Sequence, residues 1–177
     1  MNGRMAELQT RHLVLRPFRD SDVDPLYEIQ GDREYMRFTF RAESRAACET
    51  WLRRYAQSRR VNGFAPWTIV LRSDDRVIGW GGPNIDPKAP EWGPEVSYFI
   101  HPAYQGRGFA TELVRRSLQH GFSDLQFTRI GAFAMPENKA SIRVLTKCGF
   151  KFLRYEPALL RNHYELEAED WMAPTEK

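Results

Sequence analysis

Gln105-Gly106-Arg107-Gly108-Phe109-Ala110 is the stretch of this chain whose residue types and spacing suit anion binding. Glycines at 106 and 108 let the backbone approach a ligand with no Cβ in the way. The stretch stands between two patterns. Glu95–Ile100 is short, rich in β-branched and aromatic residues, and bounded by Gly93-Pro94 and Pro102, as a strand would be. From Ala110 onward, Leu113, Val114, Ser117, Leu118, Gly121, Phe122 and Leu125 recur at helical spacing. The first amides of such a helix have no intrahelical partners, and its dipole places about +0.5 charge there. A strand feeding a glycine turn that opens a helix is a phosphate cradle. An ordinary glycine turn would use the same residues.

Two phosphate motifs fit poorly. A P-loop needs Lys followed by Ser or Thr after its last glycine, and Gly108 is followed by Phe109-Ala110. A dinucleotide GxGxxG starting at Gly106 meets Thr111 in place of its third glycine, and no acidic residue stands about twenty positions on. Metal chemistry finds no motif either. His12, His101, His120 and His163 are scattered, and Cys48 and Cys148 have no neighbours at ligand spacing, so no metal is expected.

The elements that must position the turn can be read in order. Thr10–Phe18 alternates as a half-buried strand. Asp20-Ser21-Asp22 offers caps for a helix through Val23, Leu26 and Ile29, ended by Gly31-Asp32. Ser44 caps a second helix to about Arg60, stopped by Asn62-Gly63. Trp67–Leu71 and Arg76–Trp80 form a hairpin across Ser73-Asp74-Asp75, with Gly81-Gly82-Pro83 bending or bulging its second strand. After a proline-rich loop comes Glu95–Ile100, then the long helix, then a β run from Thr128 to Met135. Glu137-Asn138 opens another helix, closed by Gly149, and Phe150–Tyr155 and His163–Leu166 are the last strands. The strand-helix-strand step from Glu95 to Met135 requires a parallel crossover. The expectation is an α/β fold of α+β type: a mixed, mostly antiparallel sheet of about seven strands flanked by about four helices. Residues 8–171 form one domain, and residues 1–7 and 172–177 are flexible ends.

Composition sets limits on partners. The 177 residues are 42% hydrophobic and 28% charged, with net charge +3, as in an ordinary globular protein. No apolar run approaches the ~18 residues of a membrane span. The opening MNGRMAELQT has no apolar core segment of a secretory signal, and two cysteines without an export signal point to a reducing cytoplasm. The arginines are spread rather than striped with aromatics, so neither nucleic acid nor membrane is an expected partner.

Four ordered motifs together resemble the GNAT acetyltransferase superfamily. Gln105, Gly108 and Ala110 match its Q/R-x-x-G-x-G/A pyrophosphate motif. Asn138, Ser141 and Gly149-Phe150 match its N-x-x-S…GF motif about thirty residues later. Thr10 to Arg16 resembles the T-x-R-L-x-L-R opening of the ribosomal-protein N-terminal (Rim-type) branch, with His12 where arginine is usual. Glu95–Ile100 is similar to that branch's E-x-G-Y strand, with Ser97 in place of glycine.

The resemblance implies a sheet that splays between its fourth strand (Glu95–Ile100) and its fifth (Thr128–Met135). Acetyl-CoA is the implied co-substrate. Its pantetheine would pair with backbone around Tyr98, Phe99 and Ile100, and Gln105, Gly106, Arg107, Gly108, Phe109 and Ala110 would hold its pyrophosphate. Asn138 would fix the pantetheine arm. Glu95 would take the proton of the attacking amine, and Ser141 would bond the departing thiolate. Each has a plain structural reading as well: Asn138 as a helix cap, Glu95 as a strand-edge charge, Ser141 as a polar flank. The tyrosine that many members carry four residues before the final Gly-Phe is Leu145 here. The implied reaction is direct acetyl transfer to a primary amine, either a peptide N-terminus or a small molecule such as an amino acid, polyamine or aminated antibiotic. A CoA-binding module without catalysis is the alternative. A monomer and a homodimer are both compatible with the sequence. The acceptor is expected between the first helix pair and the last strands, near Tyr35, Phe38, Trp92, Arg154 and Arg161.

Overall fold

A computed structural model of the chain describes residues 7–172. The flexible ends expected at 1–7 and 172–177 therefore lie outside the described residues, Glu7 and Met172 excepted. In chain order the elements are β1 (Leu8–Gln9), β2 (Leu13–Arg16), α1 (Val23–Gln30), α2 (Arg45–Asn62), β3 (Trp67–Leu71), β4 (Val77–Asn84), β5 (Glu95–Ile100), α3 (Phe109–Gln119), β6 (Arg129–Ala134), α4 (Lys139–Lys147), β7 (Lys151–Glu156) and β8 (Arg161–Glu167). The strands form one sheet in the order β1-β2-β3-β4-β5-β6-β8-β7. Every neighbouring pair is antiparallel except β5 and β6, which are parallel. The seven expected strands are all present. The eighth, β1, is two residues long and has no periodicity to read.

Some boundaries differ for local reasons. Thr10 does not extend a strand: its backbone N–H and its hydroxyl both donate to the Leu13 carbonyl, and its Oγ1 accepts from Leu13 N at 3.0 Å. That turn joins β1 to β2. Gly81-Gly82-Pro83 does not bend β4 away; it stays in register opposite Tyr98, Ser97 and Val96. The glycines serve close approach instead. A Cβ on Gly81 would sit 2.4 Å from the Tyr98 Cβ, and one on Gly82 would sit 2.6 Å from the Trp67 ring. The expected long helix to Leu125 is α-helical only to Gln119 and continues as a π-helical turn, His120–Asp124. Gly121 and Phe122 stay buried.

The helices cover both faces of the sheet. Leu26, Ile29, Leu52 and Tyr55 from α1 and α2 pack on Trp80 and Phe99. On the other face, Val114 and Leu118 of α3 and Leu145 of α4 pack on Val96, Ile130 and Ala132. α2 is closed as expected, with Ser44 Oγ accepting from Ala47 N at 3.1 Å and Gly63 in the left-handed region at φ 81°.

Asp22, read from sequence as a helix cap, is a buried charge. Its carboxylate accepts two 2.7 Å bonds from the Arg16 guanidinium, one from Arg19 N at 2.8 Å and one from the Thr68 hydroxyl at 2.8 Å. Burial pushes its pKa up, but these bonds outweigh that and hold it below the ordinary value. A depressed carboxylate pKa contributes stability above the unfolded-state pKa and loses it as pH falls through the folded one. Asp22→Ala leaves Arg16 buried without its partner and should cost about 3 kcal/mol or more at pH 7. Urea unfolding of both proteins from pH 7 downward should show the gap narrowing below about pH 4.

Candidate active site

The seam between β5 and β6 is barely closed. Glu95 opposite Gly131 is its one paired position, with Gly131 N donating to the Pro94 carbonyl at 2.9 Å. The β4 register fixes what the rest of β5 does. Pro83 stands opposite Val96 and has no N–H, so the hydrogen-bonded pairs are Asn84–Glu95, Gly82–Ser97 and Trp80–Phe99. His101 continues this alternation, donating to the Ile78 carbonyl at 2.8 Å. Val96, Tyr98 and Ile100 therefore turn their N–H and C=O groups toward the seam, where the Val96 N–H completes the Glu95–Gly131 pair and Tyr98 and Ile100 meet no strand. Gln105 Nε2 donates to the Ile100 carbonyl at 2.9 Å and braces the end of the strand. Phe99, expected alongside Tyr98 and Ile100, instead bonds into β4 and buries its ring 5.8 Å from that of Trp80.

A cavity of about 720 Å³ runs through the seam, within the size range of small-molecule sites. Strand alternation gives it two sides. Toward α3 and α4 it is lined by Tyr98, Ala132, Ala134, Asn138, Ser141 and Leu145. Toward α2 it is lined by Trp51, Tyr55, Trp80, Glu95, Ser97 and Phe133, with Asp86 and Trp92 from the β4–β5 loop and Arg161 from β8. Phe38 and Trp92, expected near the acceptor, are there. Tyr35 packs on His101 at 5.5 Å, and Arg154 lies over the Trp92 ring while pairing with Glu156; neither lines the cavity.

Glu95 is half-buried in this wall rather than an exposed edge charge. Burial and the nearby Asp86 carboxylate push its pKa up, Arg161 pulls it down, and the balance is about 7. Ser97 Oγ accepts from Asn84 Nδ2 at 2.8 Å, which holds the residue that replaces glycine. Across the seam, Tyr98 Oη lies 3.2 Å from Ser141 Oγ. Burial drives the Tyr98 phenol up to about 12, so it keeps its proton. Asn138 caps α4, its Oδ1 accepting from Ser141 N at 3.1 Å, and lines the cavity as well.

The glycine turn meets α3 with its donors free of side-chain caps. Gly106 and Gly108 have φ of 74° and 87°, and a Cβ on either would meet nothing within 4 Å. Glu112 N bonds the Gly108 carbonyl at 3.0 Å, so the amides of Phe109, Ala110 and Thr111 come before the first helical bond. The Phe109 ring itself is core, and Ala110 packs partly against the same cluster. Arg107 is exposed, its guanidinium 5.4 Å from the Tyr104 ring centroid. A second hollow beside this turn is lined by Arg11, Arg107, Thr111, Arg115 and Lys147. Among the described residues no group of three or more His, Cys, Asp or Glu could hold a metal ion.

The acetyltransferase (GNAT) domain model matches residues 12–151. The chain belongs to the GNAT acetyltransferase family. It is an acetyl-CoA-dependent N-acetyltransferase. The uncharacterized N-acetyltransferase p20 of Bacillus licheniformis is 31% identical to this GNAT chain over 166 residues, covering 90% of it and 88% of p20. Spermidine N(1)-acetyltransferase of Vibrio cholerae is 34% identical over 140 residues, covering 78% of each chain. Among solved structures, a ribosomal-protein-S5-alanine acetyltransferase from Vibrio fischeri has a TM-score of 0.74 at 18% identity, covering 94% of this chain and 99% of that one. That likeness is one of fold.

Trp51, Tyr55 and Asp86 line the cavity without having been read as site residues from the sequence. Trp51 and Tyr55 gave only a helical core signal, and Asp86 sits in an aperiodic proline loop. Tyr98 was read for its backbone, although its hydroxyl meets Ser141. The α4 cap generates a direct test. Asn138→Ala should lower ligand-free stability by about 1 kcal/mol while Asn138→Asp holds most of it, read by urea unfolding.

Proposed function

We propose that this enzyme acetylates a primary α-amine by direct attack on acetyl-CoA, with Glu95 taking the amine's proton. The observation that carries this is the Glu95 carboxyl set half-buried in the wall of the cavity that crosses the seam, where burial and Asp86 raise its pKa to about 7. A general base works best with a pKa near the working pH. The acceptor's own pKa decides how much it must do. Freeing an α-amine of pKa about 8 at pH 7 costs about 1 kcal/mol, against about 5 for a lysine side chain of pKa about 10.4. A base at 7 suits the first. A protein N-terminus presents such an amine, and a free amino acid approaches it once a cation pairs the carboxylate that otherwise holds its ammonium pKa about a unit higher. The named acceptors of the relatives, a ribosomal-protein alanine and spermidine, are amines too.

The co-substrate fits the remaining groups. Open space over Gly106 and Gly108, with uncapped amides at Phe109, Ala110 and Thr111, suits a pyrophosphate. The unpaired edge of β5 at Tyr98 and Ile100 suits the amide groups of a pantetheine arm, and Asn138 and Ala134 would flank it. The thioester would then lie between Glu95 on one side and Tyr98 with Ser141 on the other. A phenol near 12 does not hand its proton outright to a thiolate, whose thiol titrates several units lower. It donates a hydrogen bond, directly or through Ser141, and that stabilises the developing charge where Leu145 cannot.

Three outcomes test this. Glu95→Gln should keep acetyl-CoA affinity, lower kcat by about 10²-fold at pH 7, and regain part of that as pH rises and free amine accumulates. Wild-type kcat/KM should fall on the acid side with two contributions, one at about 7 from Glu95 and one at about 8 from the amine, and Glu95→Gln should keep only the amine's; unchanged turnover in the variant would remove Glu95 from the chemistry. Gly108→Asp should weaken acetyl-CoA binding at least tenfold while Gly108→Asn, equally tolerant of left-handed backbone but uncharged, weakens it much less. Equal affinities measured by titration calorimetry would move the pyrophosphate elsewhere.

A further inference from the structure

Arg161 is a charge without a partner. It is half-buried at the start of β8 and lines the cavity. Among the described residues no carboxylate comes within 4 Å of its guanidinium, and no hydrogen bond from it is formed. Burial depresses its pKa and Glu95 alone opposes that. Leaving a guanidinium partly desolvated and unpaired is costly, and a fold that does so holds it for something that arrives later. Arg161 stands on the side of the sheet that carries Glu95, Phe133 and His163, as the period of two requires. Phe133 and His163 stack at 4.5 Å, and Trp92 meets Phe133 edge-on at 5.3 Å. The opposite wall of this half is also aromatic, with Trp51 4.5 Å from Trp80 and 4.7 Å from Tyr55.

The charges of this half exclude a polycation. Arg54, Lys88 and Arg161 line it against Asp86 and Glu95, and Glu95 is already half-neutral near pH 7. A second ammonium on the acceptor would meet cations and too few carboxylates, which works as specificity by repulsion. A carboxylate would find a planar guanidinium built for two parallel bonds.

We infer that the acceptor is a free α-amino acid with a large apolar or aromatic side chain. Arg161 binds its carboxylate, Glu95 faces its amine, and the Trp51–Trp80 and Trp92–Phe133 walls enclose its side chain. This rests on the α-amine reading above and narrows it to a substrate class.

The experiment is an acceptor panel with the full chain and acetyl-CoA. Thiol release is followed for L-phenylalanine, L-tryptophan and L-leucine, for phenethylamine and tryptamine, for spermidine, and for a peptide amide beginning with phenylalanine. The amino acids should exceed their decarboxylated amines in kcat/KM by about 10²-fold or more, and spermidine by a larger margin. At pH 9, where Glu95 is ionised with or without Arg161, Arg161→Gln should erase the advantage of the carboxylate by raising KM for the amino acids, with little change for the decarboxylated amines or in acetyl-CoA affinity. Arg161→Lys should restore part of it, and both variants should melt as the parent does. Decarboxylated amines, the peptide amide or spermidine turning over as well as the amino acids would overturn the inference, as would an Arg161→Gln loss at pH 9 shared by every acceptor. The base is scored separately. Glu95→Gln should slow amino acids and decarboxylated amines alike, so an inert Glu95 with a selective Arg161 refutes the base and keeps the substrate class, and the converse result refutes only the class.

Discussion

The site exists because two parallel strands fail to close. β5 is tied to β4 along its whole length, yet it meets β6 at a single pair. Buried backbone N–H and C=O groups are almost always satisfied, and an unpaired strand edge inside a fold is an offer of hydrogen bonds. The Val96 carbonyl, both backbone groups of Tyr98 and the Ile100 N–H make that offer. The rest of the molecule holds the wedge open. α2 packs on one face near Trp80 and Phe99, α3 and α4 pack on the other, and the β6–β8–β7 half is held by its own antiparallel ladders. Pro83 contributes by lacking an N–H, which sets the phase of the β4 ladder and so decides which β5 groups face the gap.

The same wedge separates two chemistries. Because side chains alternate across a strand, consecutive β5 residues address opposite sides of the cavity. Glu95 is on the aromatic side with the mixed charges. Tyr98, three residues on, is on the side where α4 brings Ser141 and Asn138. One six-residue strand thus places a carboxyl and a phenol on the two sides of one gap. Gly81 makes this possible, since any side chain there would collide with Tyr98.

Much of this was legible from the sequence, and the limits have physical causes. Element types followed from periodicity and caps: Ser44 and Gly63 bound α2, and Asn138 and Gly149 bound α4, as their chemistry requires. The glycine turn was legible because positive φ at 106 and 108 is a backbone demand that residue identity reveals. Three features were not. β1 is too short to carry a pattern. The Arg16–Asp22–Thr68 network joins residues 46 positions apart, and local reading made Asp22 a cap. Gln105 matched a phosphate motif, yet its side chain serves the Ile100 carbonyl, a contact that only the turned chain creates. The aromatic wall was half visible. Trp92, Phe38 and Arg161 stood in regions already suspected, whereas Trp51, Tyr55 and Asp86 enter through tertiary packing alone.

The central claim is that the open edge of β5 is where acetyl-CoA docks. Hydrogen exchange at single-residue resolution on the full chain, with and without saturating acetyl-CoA, addresses it most directly. The amides of Tyr98 and Ile100 should exchange faster than those of Ser97 and Phe99 in the free protein, and one or both should become strongly protected on binding. The amides of Phe109 to Thr111 should slow with them. Protection that spares β5 and appears elsewhere, or β5 amides already as slow as their β4-bonded neighbours without ligand, would contradict the account.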